Sequence, residues 1–267
     1  MSRTALILFL ALISTGATAI KPEREYKWTP DKRGLRYSEF QVTTRDKYSI
    51  NVWEYFLPDS LETTRTIILV GSDAGNMGYS ISQAKAFLSQ GIRVIAFDYR
   101  GFGKSADFAI DPGLLYYQEF GLDLDSVIRM TRDKYPNDNI GLYALSMGTY
   151  IAFLRTERID FSIAEGFYAN PMKVVDRIKL NKGEVVLLPP HAKAFNKIRR
   201  HVPTLIFCAS NDKTTITADA KEFARKNKTT IIQFDGDHLN GMYVMMKDYY
   251  GDGYASRVLE FLVVNGL

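Results

Sequence analysis

Short unbroken apolar runs alternate with helix-like stretches along most of the chain from residue 66 onward. Between most of the runs, as at 81–88 and 122–135, apolar residues recur three and four positions apart, the spacing of an amphipathic helix. Strands that helices cover on both faces have such unbroken apolar sequences. The alternation therefore predicts an α/β protein with a mostly parallel sheet. The runs cover residues 66–70, 93–97, 140–144, 163–168, 204–209 and 229–234.

Three segments depart from this alternation. Residues 40–43 and 50–56 alternate apolar and polar side chains, which predicts a half-buried antiparallel pair ahead of the parallel strands. Residues 20–37 are polar and charged, so we expect a loose lead-in there. Residues 172–202 separate two predicted strands, although ordinary connections are much shorter. We interpret 172–202 as a small cap within a single domain that covers residues 20–267.

Residues 1–19 have the layout of a secretory signal peptide. Arg3 supplies a positive start, residues 5–14 form an apolar run, and Ala17-Thr18-Ala19 is a small-x-small cleavage site. The apolar run is too short to span a bilayer comfortably, and an uncleaved N-terminal anchor is the alternative interpretation. We therefore expect this segment to be removed and the rest of the chain to be exported, to a periplasm or out of the cell.

Composition and charge narrow the range of partners. The chain has 267 residues, of which 46% are hydrophobic and 24% charged, as in a globular protein with a sizeable core. The net charge is +4, but positive and negative residues are interspersed. Because nucleic-acid and membrane-surface partners normally require a concentrated basic face, we expect neither. The single cysteine, Cys208, excludes an internal disulfide, and we predict no metal site.

Ser146 occupies the most informative position in the chain. An apolar strand runs into Leu145, Ser146 follows, and a helical pattern starts directly afterwards. Such a strand–turn–helix is sharp, and it needs small residues two positions before and two after the serine, which Ala144 and Gly148 supply. The turn holds the hydroxyl at a helix N-terminus, where developing negative charge is favoured. Ser146 is therefore our candidate nucleophile, and a helix-capping serine is the alternative.

A serine nucleophile needs a base, and His238 is the best candidate. It lies just past the last predicted strand, and active sites of open parallel sheets form at the carboxyl ends of strands. The other histidines are less suitable, because His191 lies in the predicted cap and His201 precedes a strand.

The base in turn needs a carboxylate that holds its tautomer, and we assign this role to Asp212. Asp212 follows the predicted strand at 204–209 closely, so it also lies at a carboxyl end. The resulting order is serine, aspartate, histidine. Three other acids compete with it: Asp219 lies in a helical pattern, and Asp235 and Asp237 crowd the histidine's own loop.

Taken together, these motifs resemble the α/β-hydrolase superfamily over roughly residues 40–264. The turn at 97–105 is similar to the family's D-x-R-G-x-G-x-S signature, and the loop at 71–76 is similar to the H-G-N-A-G-N oxyanion loop of peptidase- or lysophospholipase-like members. Residues 144–148 match the nucleophile elbow. The resemblance implies an α/β-hydrolase fold with an eight-stranded, mostly parallel sheet, helices on both faces and no cofactor.

The oxyanion loop departs most from the family pattern. In this family, one oxyanion donor is the backbone N–H after the nucleophile, here Met147, and the other comes from the loop at 71–76. Gly71-Ser72 replaces the family's His-Gly, and Asp73 follows. The backbone N–H of Asp73 is our second candidate donor, although its carboxylate would oppose a forming negative charge if it turned inward.

The leading hypothesis is a serine hydrolase that cleaves a small carboxylic ester through an acyl-enzyme on Ser146. Related members also cleave thioesters, monoacylglycerols and short peptides. A non-catalytic ligand-binding protein on the same fold is an alternative, motivated by Asp73, and acyl transfer to an alcohol is another. Met242, Met245, Met246 and residues 185–188 are candidates for an apolar acyl pocket, while methionines at helical spacing are more often part of a core.

Overall fold

The computed structural model describes residues 19–58, 61–155, 158–190, 192 and 202–267. Within them, eight strands form one sheet: β1 (Tyr37–Thr43), β2 (Ser49–Tyr55), β3 (Arg65–Val70), β4 (Arg93–Phe97), β5 (Asn139–Leu145), β6 (Phe161–Glu165), β7 (Thr204–Ala209) and β8 (Thr229–Phe234). Their spatial order is β1, β2, β4, β3, β5, β6, β7, β8. In this sheet β2 is antiparallel to its neighbours β1 and β4, and the other pairings are parallel. The predicted eight-stranded, mostly parallel sheet is confirmed.

Both faces of the sheet are buried, which explains the unbroken apolar runs. Ile68 and Val70 of β3 pack in one core cluster, and Ile67 and Leu69 of the same strand pack in the other. The described α-helices are α1 (Ile81–Leu88), α2 (Tyr117–Lys134), α3 (Met147–Phe153), α4 (Pro171–Lys182), α5 (Thr217–Ala224), α6 (Gly241–Val244) and α7 (Asp252–Val264). Helices α2 and α3 cover the first face, and α1 and α7 cover the second.

Two predicted boundaries are wrong. Strand β6 covers Phe161–Glu165 instead of 163–168, because Gly166 has a φ of 67° and turns the chain out of the sheet. Helix α2 begins at Tyr117 instead of residue 122, and its first turn buries Tyr117 and Phe120 against the core. Neither shift alters which strand ends reach the carboxyl edge of the sheet.

The expected loose lead-in is instead packed against the body of the domain. Ile20 is 1% exposed and belongs to the core cluster on the α2 side. Residues 21–22 pair in parallel with 74–75, and β1 already begins at Tyr37. The pairing uses backbone groups and leaves no apolar pattern in the sequence, so the polar composition of 20–37 indicated only a loop.

Within the described residues, no helix combines the length and apolarity that a membrane crossing needs.

The predicted cap at 172–202 is described only in part. Helix α4 begins at Pro171, where the Asn170 side chain accepts a hydrogen bond from the Met172 N–H at 3.0 Å, and it ends before Gly183, which has a φ of 71°. Leu187 then bonds to the backbone around Leu114. Residues 191 and 193–201 lie outside the described residues, as do residues 1–18 of the predicted signal peptide, so both assignments stay predictions.

A buried ion-pair network fixes the turn after β4. Arg100, with its side chain 1% exposed, bonds to Asp123 of α2 at 2.7 and 2.9 Å and to Asp46 of the β1–β2 turn at 2.7 and 3.0 Å. Its guanidinium also lies 4.0 Å from the centre of the Tyr48 ring. The network therefore ties β4, α2 and the β1–β2 turn together on the side of the sheet that α3 shares.

Candidate active site

Ser146 lies at the apex of a strained turn between β5 and α3. Its φ of 46° and ψ of −114° are unusual for a residue with a Cβ, and such strain persists only where surrounding contacts enforce it. The Ser146 N–H donates to the carbonyl of Glu165 at 2.9 Å, and Thr149 donates to the Ser146 carbonyl through both its N–H and its hydroxyl. These bonds hold the hydroxyl clear of the sheet edge.

Glycine is required at position 148 because α3 approaches β3 closely there. A Cβ on Gly148 would overlap the carbonyl oxygen of Gly71 and lie 2.7 Å from that of Val70. Ala144, two positions before the serine, is fully buried and accommodates its methyl group. The contact also brings the first turn of α3, with Met147, directly against the loop that begins at Gly71.

The loops that carry Asp212 and His238 leave adjacent strands side by side. Ala209 at the end of β7 is paired with Phe234 at the end of β8. Beyond them, the Asn211 N–H donates to the Gly236 carbonyl at 3.0 Å, so the two loops stay together past the end of the sheet. This pairing is the reason that two residues far apart in sequence meet at one edge.

Ser146, His238 and Asp212 form a continuous hydrogen-bonded chain. Ser146 Oγ lies 3.1 Å from His238 Nε2, and His238 Nδ1 lies 2.6 Å from Asp212 Oδ2. The Asp212 carboxylate also accepts hydrogen bonds from the N–H groups of Thr214 and Thr215 and from the Thr215 hydroxyl. The sequence-predicted serine, histidine and aspartate are thus brought together in the expected order.

Burial and hydrogen bonding shift the pKa of Asp212 in opposite directions. Its side chain is 3% exposed, and burial alone would raise the pKa of the carboxyl. The hydrogen bond from His238 and the donors of Thr215 outweigh burial and hold the pKa of the carboxyl well below its usual value. Because Asp212 is an ionised acceptor, the proton of the neutral imidazole lies on Nδ1, and Nε2 is left to accept from Ser146.

The competing acids have other contacts. Asp219 forms an ion pair with Arg177 at 2.7 Å, and Asp235 accepts a hydrogen bond from the Ser210 hydroxyl at 2.9 Å. Asp237 is exposed in the loop before the histidine. Of the competing histidines, His191 and His201 lie outside the described residues.

Glu165 supports the site, and sequence reasoning missed it. Its backbone carbonyl holds Ser146, as described above, and its buried side chain accepts a hydrogen bond from the Gly241 N–H at 2.7 Å, just after the histidine loop. One residue therefore joins the serine turn to the segment that follows His238. The available signal was an acid inside an otherwise apolar run, at 163–168. Gly166 lies beside it, where a Cβ would be 2.8 Å from His238 Cε1.

Burial of Glu165 predicts a specific pH dependence of stability. Burial raises the pKa of this carboxyl, and the hydrogen bond from the Gly241 N–H offsets the rise only in part. The folded chain therefore keeps a proton on Glu165 over a pH range in which the unfolded chain, with a pKa of about 4.3, has lost it. We expect the wild type to lose stability relative to Glu165→Gln, which retains an acceptor for Gly241, as the pH rises through that range.

Urea unfolding at a series of pH values measures this difference, with Glu165→Ala as a control that removes the acceptor. Relative to Glu165→Gln, which does not titrate, Glu165→Ala leaves the buried Gly241 N–H unpaired and is expected to be less stable by about 1–3 kcal/mol at every pH. A constant stability difference between wild type and Glu165→Gln across the range would contradict the prediction.

The candidate oxyanion donors lie on two segments that touch. Met147 is the first residue of α3, and Asp73 lies in the loop that Gly148 packs against at Gly71. The Asp73 side chain accepts a hydrogen bond from the Ser72 hydroxyl. Burial raises the pKa of Tyr117 and Tyr168, whose hydroxyls lie 2.9 Å apart, and the negative charge of Asp73 adds to this rise.

The candidate acyl-pocket residues divide between core and surface. Met242 is buried in the core cluster on the α7 side, and Met245 packs against it. Met246 is exposed, as are Val185 and Leu187 of the predicted cap. The core interpretation therefore fits Met242 and Met245, while the exposed residues are the ones that remain available to a ligand.

Comparison with known proteins shows the family to which this chain belongs. Residues 64–200, about half of the chain, match the family described as serine aminopeptidase, S33. An uncharacterized membrane protein of Saccharomyces cerevisiae, YNL320W, is 30% identical over 162 residues, which are 58% of this chain and 54% of that protein. Protein bem46 of Schizosaccharomyces pombe is 25% identical over 168 residues, which are 61% of this chain and 55% of bem46. The chain thus spans about half the length of these yeast relatives.

Solved structures share the fold at low sequence identity. The Pyrococcus furiosus esterase Pf2001 superposes with a TM-score of 0.73 at 21% identity, covering 93% of this chain and 99% of the esterase. Protein XC6422 of Xanthomonas campestris, described as an α/β serine hydrolase without a lid, gives a TM-score of 0.61 at 14% identity. The match covers 86% of this chain and 94% of that protein. Both likenesses concern the arrangement of strands and helices.

Proposed function

Because this chain belongs to the serine aminopeptidase S33 family of α/β-hydrolases, we propose that it is a serine hydrolase that cleaves carboxylic esters through an acyl-enzyme on Ser146. The observation that carries the proposal is the chain of hydrogen bonds from Ser146 Oγ through His238 to the buried Asp212. A hydroxyl 3.1 Å from an imidazole nitrogen is within reach of a general base.

The proposed reaction has two steps. His238 Nε2 takes the Ser146 proton as Oγ attacks the ester carbonyl, and the resulting imidazolium is stabilised by ionised Asp212. The backbone N–H groups of Asp73 and Met147 donate to the oxyanion, and His238 returns the proton to the departing alcohol. Water, activated by His238, then attacks the acyl-enzyme and releases the acid.

The proposed substrate class is a small acyl ester. His238 has a side-chain exposure of 36%, so a substrate reaches the imidazole from solvent without displacing the core. A protein of the same fold, Pf2001 of Pyrococcus furiosus, is an esterase, and we propose the same substrate class for this chain. Asp73 in the oxyanion loop favours the alternative of a binding protein without turnover, and acyl transfer uses the same residues with an alcohol in place of water.

A panel of p-nitrophenyl esters from acetate to laurate tests the proposal. We expect saturable release of nitrophenol with a maximum at one chain length, and free acid as the main product when glycerol is added. Mainly glycerol ester would favour acyl transfer. No turnover of any ester, together with measurable binding of a non-hydrolysable analogue, would favour the binding protein.

We also propose that the chain is exported after removal of residues 1–19. The support is the arrangement of Arg3, the apolar run and the Ala17-Thr18-Ala19 site. N-terminal sequencing of the protein from a periplasmic or culture fraction is expected to begin at Ile20. A start at Met1 in a membrane fraction would favour the uncleaved anchor.

A further inference from the structure

We propose that residues 20–25, the N-terminal strap, are a positioning element that holds the oxyanion loop 71–76 in its working shape. The proposal rests on the function proposed above, because it concerns the loop that carries the Asp73 donor. It assigns a catalytic consequence to a segment whose composition indicates only a polar lead-in.

The strap brackets the loop through backbone hydrogen bonds. The Lys21 N–H donates to the Asp73 carbonyl at 2.8 Å, and the Glu23 N–H donates to the Gly75 carbonyl at 2.9 Å. These bonds form the short parallel pairing of 21–22 with 74–75. They fix the peptide plane that follows Asp73 and, two residues later, the one that follows Gly75.

The far end of the loop is held by the same strap through a side chain. Asn76 Nδ2 donates to the carbonyls of Glu23 and Glu25 at 3.1 and 2.8 Å. The Asn76 residue is 8% exposed, so these donors have little access to water. The loop is therefore tied to the strap at three successive points, while at its start Gly71 is packed against α3.

The strap itself is anchored on the domain. The Ile20 N–H donates to the Pro112 carbonyl at 3.0 Å, and the Ile20 side chain is in the core. The Gly103 N–H donates to the Glu23 carbonyl at 2.9 Å, which ties the strap to the turn after β4. An element fixed on both sides transmits this rigidity to the loop. Cleavage after Ala19 would leave the strap whole.

A matched pair of substitutions isolates the backbone contact. Lys21→Pro removes the N–H that donates to Asp73, and Lys21→Ala retains it while removing the same exposed side chain. Because misplacing one oxyanion donor is costly, we expect kcat of Lys21→Pro on the best ester to fall about tenfold or more, with KM within about twofold. Lys21→Ala should match the wild type. Glu23→Pro and Glu23→Ala form a second pair for the Gly75 contact.

Hydrogen exchange provides a readout that is independent of catalysis. We expect faster exchange for residues 73–77 in Lys21→Pro than in Lys21→Ala, with unchanged exchange in the strands. Equal kcat and equal exchange in the two members of both pairs would overturn the strap proposal while leaving an active wild type as support for the hydrolase. A wild type without any esterase activity would overturn the hydrolase and, with it, the catalytic role of the strap.

Discussion

Replacement of Ser146 by alanine is expected to lower kcat on the best p-nitrophenyl ester by about 10⁴-fold or more, because no other group replaces the attacking oxygen. The melting temperature should stay close to that of the wild type, since alanine keeps the Cβ and the same strained φ of 46°. KM should change little, because the hydroxyl acts mainly in the transition state. Steady-state kinetics and thermal unfolding of the same preparation measure both effects.

Ser210→Ala is the matched control for that substitution. Ser210 lies beside the histidine loop and donates to Asp235 at 2.9 Å, so its loss removes a nearby serine without touching the hydrogen-bonded chain of Ser146. We expect its kcat to stay within about threefold of the wild type, as for a surface change away from the chemistry. Similar losses in both variants would show that Ser146 has no special role.

The largest expected effect on stability comes from Arg100→Met. Removal of the guanidinium leaves the Asp123 carboxylate, which is 0% exposed, without its charged partner inside the core. Breaking a buried pair in this way costs about 3–5 kcal/mol, because an uncompensated charge stays buried. Methionine retains most of the side-chain length, so lost packing contributes less. The free energy of unfolding from urea titration measures the effect.

Arg24→Met makes the same chemical change at the surface. Arg24 pairs with Asp107 at 2.9 Å, but both side chains are solvated, at 45% and 99% exposure. Exposed pairs contribute about 0–1 kcal/mol to stability. We therefore expect Arg24→Met to lower the free energy of unfolding several-fold less than Arg100→Met does. A cost of less than about 1 kcal/mol for Arg100→Met would contradict the structural role assigned to the Arg100 network.

The sequence predicted the sheet and the residues at its carboxyl edge because both follow from local patterns. Unbroken apolar runs mark strands that are covered on both faces, and the two core clusters of alternating β3 side chains bear this out. Ser146, Asp212 and His238 each follow such a run closely. Their meeting then depends only on strand order, which parallel α/β topology restricts strongly.

What the sequence did not predict depends on pairing between distant segments. Glu165 acts through a hydrogen bond to Gly241, and nothing in its neighbourhood along the chain indicates that partner. The strap at 20–25 pairs with 74–75 through backbone groups, which carry no side-chain pattern to recognise. Both contacts form only when the sheet and its loops are assembled. Local sequence patterns therefore predicted a loop for the strap and a mid-strand position for Glu165.

Covalent labelling shows whether Ser146 is an activated nucleophile. A fluorophosphonate probe reacts with an activated serine, and intact-mass analysis with peptide mapping identifies the modified residue. We expect one adduct per chain, on the peptide that contains Ser146, and no adduct on Ser146→Ala. Equal labelling of the wild type and Ser146→Ala, or an adduct on another residue, would contradict it.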